Sequence, residues 1–304
     1  MDVVVLGEPL VEFSADRSLN DAEQFRLSFS GDAMNASVAA AAAGAQVALV
    51  TRVGDDEFGE RLIAFAAERG VLTGWMARGE GHTGAYAVGA DPSGERAFSY
   101  MRYGSAASRM TPADVDRAPL AQARVVVLSG ITAAISATCA QAVPYAARAA
   151  SGRVVYDPNY RARLTGPREA RETLAAVAPH AALIKISSPG DSSALLGETE
   201  PREVARACLR LGAAAVAVTM GEHGVLLAEG EAEPVAIPAM RTELIVDQTG
   251  AGDNWTGALA AWLARGRPLA EAVRAGTAAA TVSLAGQGGT GRVADRAEIE
   301  QLIA

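Results

Sequence analysis

Residues 247–257 read Asp-Gln-Thr-Gly-Ala-Gly-Asp-Asn-Trp-Thr-Gly. Gly250, Ala251 and Gly252 are small enough for the backbone to turn tightly and aim successive N–H groups at one point. An apolar, helix-compatible run over 255–263 follows at once. Free N–H groups at a helix start form an anion site, and the helix dipole adds favourable potential for negative charge. Asp253 then puts a carboxylate at the mouth of that site. Such a placement makes sense if the anion is a phosphoryl group in transit and the carboxylate takes a proton from the attacking hydroxyl. The same residues also suit an Asp N-cap behind a glycine turn; the rest of the chain decides between the two.

Outward from this stretch, short continuous apolar runs recur at 3–6, 47–50, 125–128, 154–156, 183–186, 214–219 and 225–227. Continuous runs of that length suit strands buried on both faces. Helical patterns lie among them at 35–43, 58–69, 137–150, 167–177 and 202–211, with three more at 254–264, 269–284 and 295–303. The alternation predicts an α/β fold, a parallel sheet with helices on both sides, in a single domain over 1–304. Segments 10–30 and 82–103 differ: they alternate apolar and polar residues, and Asp91-Pro92-Ser93-Gly94 is a turn signal between the later strands. They read as antiparallel strands with one exposed face, apart from the core, suited to a lid or a dimer contact.

Half of the 304 residues are hydrophobic and the net charge is −8. That charge argues against nucleic acid or an anionic membrane as partner, so a phosphorylated ligand must be held by local dipoles, a cation and a few arginines. Cys139 and Cys208 are far apart, as reduced core thiols of a cytoplasmic protein would be, and the three histidines are scattered, so no His/Cys metal site is expected. The opening residues read as a strand ending at Gly7, without the basic region of a leader. The Ala-rich stretch 34–50 is broken by Gly44 and Gln46 and reads as a buried helix and a strand, not a membrane span.

Further motifs join the first. Ser30-Gly31-Asp32-Ala33-Met34-Asn35 opens a helix, Arg52-Val53-Gly54-Asp55-Asp56-Glu57-Phe58-Gly59 precedes another, and Val218-Thr219-Met220-Gly221-Glu222-His223-Gly224 ends a strand on two glycines. Taken in order with Asp247 to Asp253, these resemble the signatures of the ribokinase-like (PfkB-type) carbohydrate kinases. The resemblance implies a Rossmann-like core with a small β-sheet lid, and ATP and Mg²⁺ as cofactors. It casts Asp253 as base, the N–H groups of Gly250, Ala251, Gly252 and Asp253 as the anion hole, and Ser188, Thr219, Gly221, Gly224, Gly250 and Gly252 as ATP contacts. It further assigns Gly31, Asp32 and Asn35 to the sugar, and Asp247 and Thr249, with residues near 286–291, to a monovalent cation such as K⁺.

Within the family the chain looks most like the 2-keto-3-deoxygluconate kinases. Gly7-Glu8-Pro9-Leu10-Val11-Glu12-Phe13, Phe98 to Ala106, Leu128-Ser129-Gly130-Ile131-Thr132 and Asp157-Pro158-Asn159-Tyr160-Arg161 carry that likeness. It implies that Tyr86, Tyr100, Arg102, Ile131 and Arg161 meet an acid sugar. Two arginines aimed at one pocket suit a carboxylate. A fructokinase-like kinase of a neutral ketose or nucleoside is the alternative, and a catalytically silent sugar sensor a third. A dinucleotide-dependent dehydrogenase is disfavoured, because no G-x-G-x-x-G follows the first strand. Relatives carry an N-x-x-E segment near Mg²⁺ where this chain has Ser187-Ser188-Pro189-Gly190-Asp191, which makes Asp191 the acidic substitute. A homo-oligomer, a dimer through the lid or a higher assembly, is expected.

Overall fold

The computed structural model describes residues 1–90 and 96–304. In chain order its strands are β1 (Val3–Leu6), β2 (Leu10–Ser14), β3 (Arg26–Ser30), β4 (Val47–Gly54), β5 (Val71–Leu72), β6 (Met76–Gly79), β7 (Ala85–Ala90), β8 (Arg96–Met101), β9 (Val125–Ser129), β10 (Arg153–Asp157), β11 (Ala181–Ser187), β12 (Ala215–Thr219), β13 (Val225–Glu229) and β14 (Val235–Ile237). The large sheet runs β14-β13-β12-β11-β10-β9-β1-β4-β5, with β6 beside the far end of β4. Its pairings are parallel from β12 through to β5, and antiparallel only at β12–β13 and β13–β14.

The continuous apolar strands bury both faces because side chains alternate along a strand. Val3 and Val5 join one core with helices Asp32–Ala42, Ala251–Ala264 and Leu269–Ser283, whereas Val4 and Leu6 join another with Ala137–Ala149, Pro167–Val177 and Pro201–Arg210. Helices Asp32–Ala42 and Ala251–Ala264 approach closely through small residues: a Cβ on Gly257 would stand 2.3 Å from the Ala36 carbonyl oxygen and 2.8 Å from Ala39 Cβ. Among the described residues no helix is long and apolar enough to cross a membrane.

The second sheet, β3-β2-β7-β8, is separate. The expectation of an all-antiparallel sheet needs correction. Within each hairpin, β2–β3 and β7–β8, the strands are antiparallel, but β2 and β7 pair in parallel, Glu12 opposite Tyr86. Each hairpin leaves the core by its first strand, so the two outgoing strands run side by side in one direction. The turn expected at 91–94 lies outside the described residues. The Arg52–Gly59 motif anchors the base of this sheet. Asp56 caps helix Glu57–Glu68 by accepting from Gly59 N and also accepts from Thr83 N and Oγ1, just before β7.

Candidate active site

Open parallel sheets bind ligands beyond the carboxyl ends of their strands, and a cleft of about 1550 Å³ lies there, roofed by the small sheet. Ile131, Asn159, Ser187 and Thr219 enter it at or just after the ends of β9, β10, β11 and β12, while Leu10, Tyr86 and Tyr100 enter from the small sheet. Of the residues expected at the site, the cleft collects Gly31, Asp32, Asn35, Tyr86, Tyr100, Arg102, Ile131, Arg161, Asp191, Thr219, Gly221, Gly224, Thr249 and Gly250 to Asp253.

Asp253 lies in the first turn of helix Ala251–Ala264, whose N-cap Gly250 is left-handed with φ 76°. The close packing of that helix on Asp32–Ala42 brings Asn35 Nδ2 within 2.9 Å of Asp253 Oδ2, to which it donates. Burial raises the Asp253 carboxyl above its ordinary 3.8, repulsion from Asp32 adds to this, and the Asn35 hydrogen bond and Lys185 oppose it, leaving it at about 7. A carboxylate poised there works as a base near neutral pH. Asp32 Oδ2 is buried and has no hydrogen-bond partner among the described residues, an acceptor suited to a ligand hydroxyl. Asn254 does not touch the base; its Nδ2 donates to the carbonyls of Gly250 and Gly289 and fixes the glycine turn, while Trp255 packs in the core.

Two residues of the site were given no role by the sequence motifs. Lys185, 7% exposed in β11, donates to Asp157 Oδ2 at 2.6 Å. Burial alone would strip its proton, but the carboxylates of Asp157, Asp191 and Asp253 hold its pKa above that of an ordinary lysine. The available signal was a lone charge inside the apolar run Ala-Ala-Leu-Ile-Lys-Ile-Ser. Glu8 is the other: its carboxylate accepts from Arg102 Nε at 2.7 Å and Ser105 Oγ at 2.5 Å.

That pair bears on the role expected of Arg102. Its guanidinium lines the cleft but is 7% exposed and paired with Glu8, Nη2 lying 2.5 Å from Glu8 Oε2, so its charge is largely balanced inside the protein. Ser188 is corrected. Its Oγ donates to the Thr199 carbonyl outside the cleft, and the neighbouring Ser187, the last residue of β11, lines it instead. Asp191 accepts from Tyr160 N with Oδ1 and from Ser187 N and Oγ with Oδ2. Asp247 sits behind the cleft, 4% exposed, and joins the two segments expected at a cation loop by accepting from Thr249 N and Gly288 N. Gly224 is needed by the fold, as a Cβ there would lie 2.2 Å from the Ile237 carbonyl oxygen, whereas Gly221 has nothing within 4 Å of such an atom. Glu12 accepts from Ser28 Oγ and Tyr86 Oη inside the small sheet.

Residues 1–295 match the model of the pfkB family carbohydrate kinases. The 2-dehydro-3-deoxygluconokinase of Thermoproteus tenax is 34% identical over 203 residues, which span 65% of this chain and 62% of that protein. Fructokinase-1 of Zea mays is 29% identical over 316 residues, spanning 99% of this chain and 97% of its own. The crystal structure of a PfkB protein from Polaromonas sp. JS666 superposes with a TM-score of 0.86 at 31% identity over 99% of both chains. With its motifs, fold and cleft in agreement with these matches, the chain belongs to the pfkB family of carbohydrate kinases.

Proposed function

We propose that the chain uses ATP to phosphorylate the terminal hydroxyl of a 2-keto-3-deoxy sugar acid. The observation that carries the acid-sugar reading is an arginine-lined wall of the cleft, whose net positive charge comes from Arg161 and Arg163 because Arg102 is paired with Glu8. Arg163 donates to the Phe98 carbonyl, Phe98 stacks on Tyr100 at 6.1 Å, Arg102 lies 5.9 Å from the Tyr100 ring, and Arg161 lines the same cleft. Asp253 accepts the proton of the attacking hydroxyl, Asp32 and Asn35 hold the sugar, and the N–H groups at 250–253 receive the phosphoryl group. Thr219, Gly221 and Gly224 lie where the nucleotide approaches the backbone.

Among the described residues no three His, Cys, Asp or Glu side chains converge as a metal site, which fits a cation brought in on phosphates. Mg²⁺ bound in that way neutralises phosphate charge, and Asp191, whose two carboxylate oxygens already accept hydrogen bonds, would hold it through water. Asp247 and Thr249, with the 286–291 loop, are the proposed holders of K⁺.

A neutral ketose is the second reading. Glu8 cancels the charge of Arg102, and Glu12 adds a carboxylate beside Tyr86. ADP release across a panel of sugars and sugar acids separates the two, with the acid expected to exceed fructose. Arg161→Ala should raise KM for the acid by about tenfold, the loss of one charge-assisted hydrogen bond, and leave fructose nearly unchanged. Equal wild-type turnover of fructose and the acid would promote the ketose reading, and sugar binding without turnover the silent sensor. Arg102→Ala is the poorer probe, because it strands the buried Glu8 carboxylate at a cost of about 3–5 kcal/mol.

The small sheet is proposed to act as a lid. Amide exchange at 84–90 and 96–103 should slow when sugar and nucleotide saturate the protein; unchanged protection would count against closure. Its exposed Met101 and Tyr103 suit pairing with a second copy of the chain.

A further inference from the structure

We propose that Lys185 is a catalytic residue whose ammonium contacts the phosphoryl group in flight, with Asp157 as the positioning residue that holds it there; the proposal rests on the kinase reading above. An aliphatic side chain would serve β11 better, since burying an ammonium costs several kcal/mol even when paired. The placement of the charge shows what that cost supports. Lys185 and Asp157 stand near the carboxyl ends of adjacent parallel strands, and a Cβ on Gly252 would lie 2.8 Å from Lys185 Nζ. The ammonium therefore faces the N-terminal turn of helix Ala251–Ala264, which is itself the positive end of a dipole.

Both groups present positive charge to one point. An anion between them turns both into favourable contacts. Asp157 accepts from Lys185 Nζ, an ammonium with three N–H donors, and Lys185 and Gly252 both line the cleft. In the reaction the sugar hydroxyl oxygen bonds to the γ-phosphorus of the nucleoside triphosphate. The bond from that phosphorus to the β,γ-bridging oxygen breaks, its electron pair leaves on the nucleoside diphosphate, and the hydroxyl proton passes to Asp253. Lys185 stays protonated throughout; its contribution is electrostatic.

The test compares wild type, Lys185→Met and the double variant Lys185→Met/Asp157→Asn, which leaves no buried charge unpaired. Steady-state ADP release and calorimetric affinities for ADP and a non-hydrolysable ATP analogue, all with Mg²⁺, are measured. Both variants should lose about 10²–10³-fold in kcat with sugar KM within about threefold of wild type. Affinity for the ATP analogue should fall by about tenfold while that for ADP holds, a difference that a merely structural pair would not produce. A folded variant keeping more than about a third of wild-type kcat, or equal weakening of ADP and the analogue, would overturn the proposal. Failure of the double variant to fold would mark the pair as structural and overturn it too. A wild type that releases no ADP with any sugar would instead sink the kinase reading, and this proposal with it.

Discussion

Asp253→Asn should cut kcat by about 10²–10⁴-fold while sugar KM moves little, because the change keeps shape and removes basicity. Asn35 can still donate to the new amide oxygen, so the hydrogen bond at 2.9 Å survives. The wild-type rate should rise with pH through about 7, where Asp253 loses its proton, and the variant's residual rate should lack that limb. Stability should move the other way. The folded state holds the Asp253 proton more tightly than the unfolded chain, so the group's contribution is fully present below about 4 and is lost as pH rises to about 7. At pH 8 the ionised, buried carboxylate is therefore a burden, and Asp253→Asn should melt about 2–6 °C higher than wild type. A variant with more than about a third of wild-type kcat would exclude Asp253 as the base.

The two glycines beside it should separate sharply. Gly250→Ala forces a side chain into φ 76° and drives its Cβ to 2.5 Å from Gly289 Cα, a backbone collision with no easy relief. The left-handed conformation alone costs about 1–2 kcal/mol, so the melting temperature should drop by several degrees with or without ligand. Gly252→Ala meets only the far end of a flexible side chain, Lys185 Nζ. Alanine also favours the helix over glycine by about 1 kcal/mol, so stability should hold or rise. The displaced ammonium and crowded anion site should nonetheless cost about 10²-fold in kcat. Equal stability losses in the two variants, by thermal melting, would return Gly252 to a role in folding alone.

Much of the core was legible because each strand is a local apolar run and each helix a local periodic one. Helix Pro167–Val177 matches its expected span, and Ala251–Ala264 begins three residues before the expected 254 because its first turn is the glycine motif itself. Helix Gly190–Leu196 is missing from the expected helices because it is short and opens on Ser-Pro-Gly, and the short strands β6 and β14 carry too few apolar residues to stand out. The parallel register of β2 with β7 joins residues more than 70 positions apart, which no local pattern encodes. The site divides in the same way. Residues 250–253 were legible because their chemistry is consecutive in the chain. Lys185 with Asp157, and Glu8 with Arg102, become pairs only when the topology sets distant segments side by side. Ser188 failed by one residue, because the chain leaves β11 at Ser187 and the next side chain bonds to the Thr199 carbonyl.

Thermal tolerance is commonly engineered by replacing helical glycines with alanine, a change that removes freedom from the unfolded chain. Gly257 looks like an ideal candidate: it is buried in the middle of a long helix. Yet the methyl group would meet the Ala36 carbonyl at 2.3 Å and wedge apart the helices that carry Asn35 and Asp253. The spacing of two alanine-rich backbones is thus the ruler that sets a 2.9 Å hydrogen bond one turn away. A stabilisation campaign blind to that ruler would harden the scaffold and detune the base.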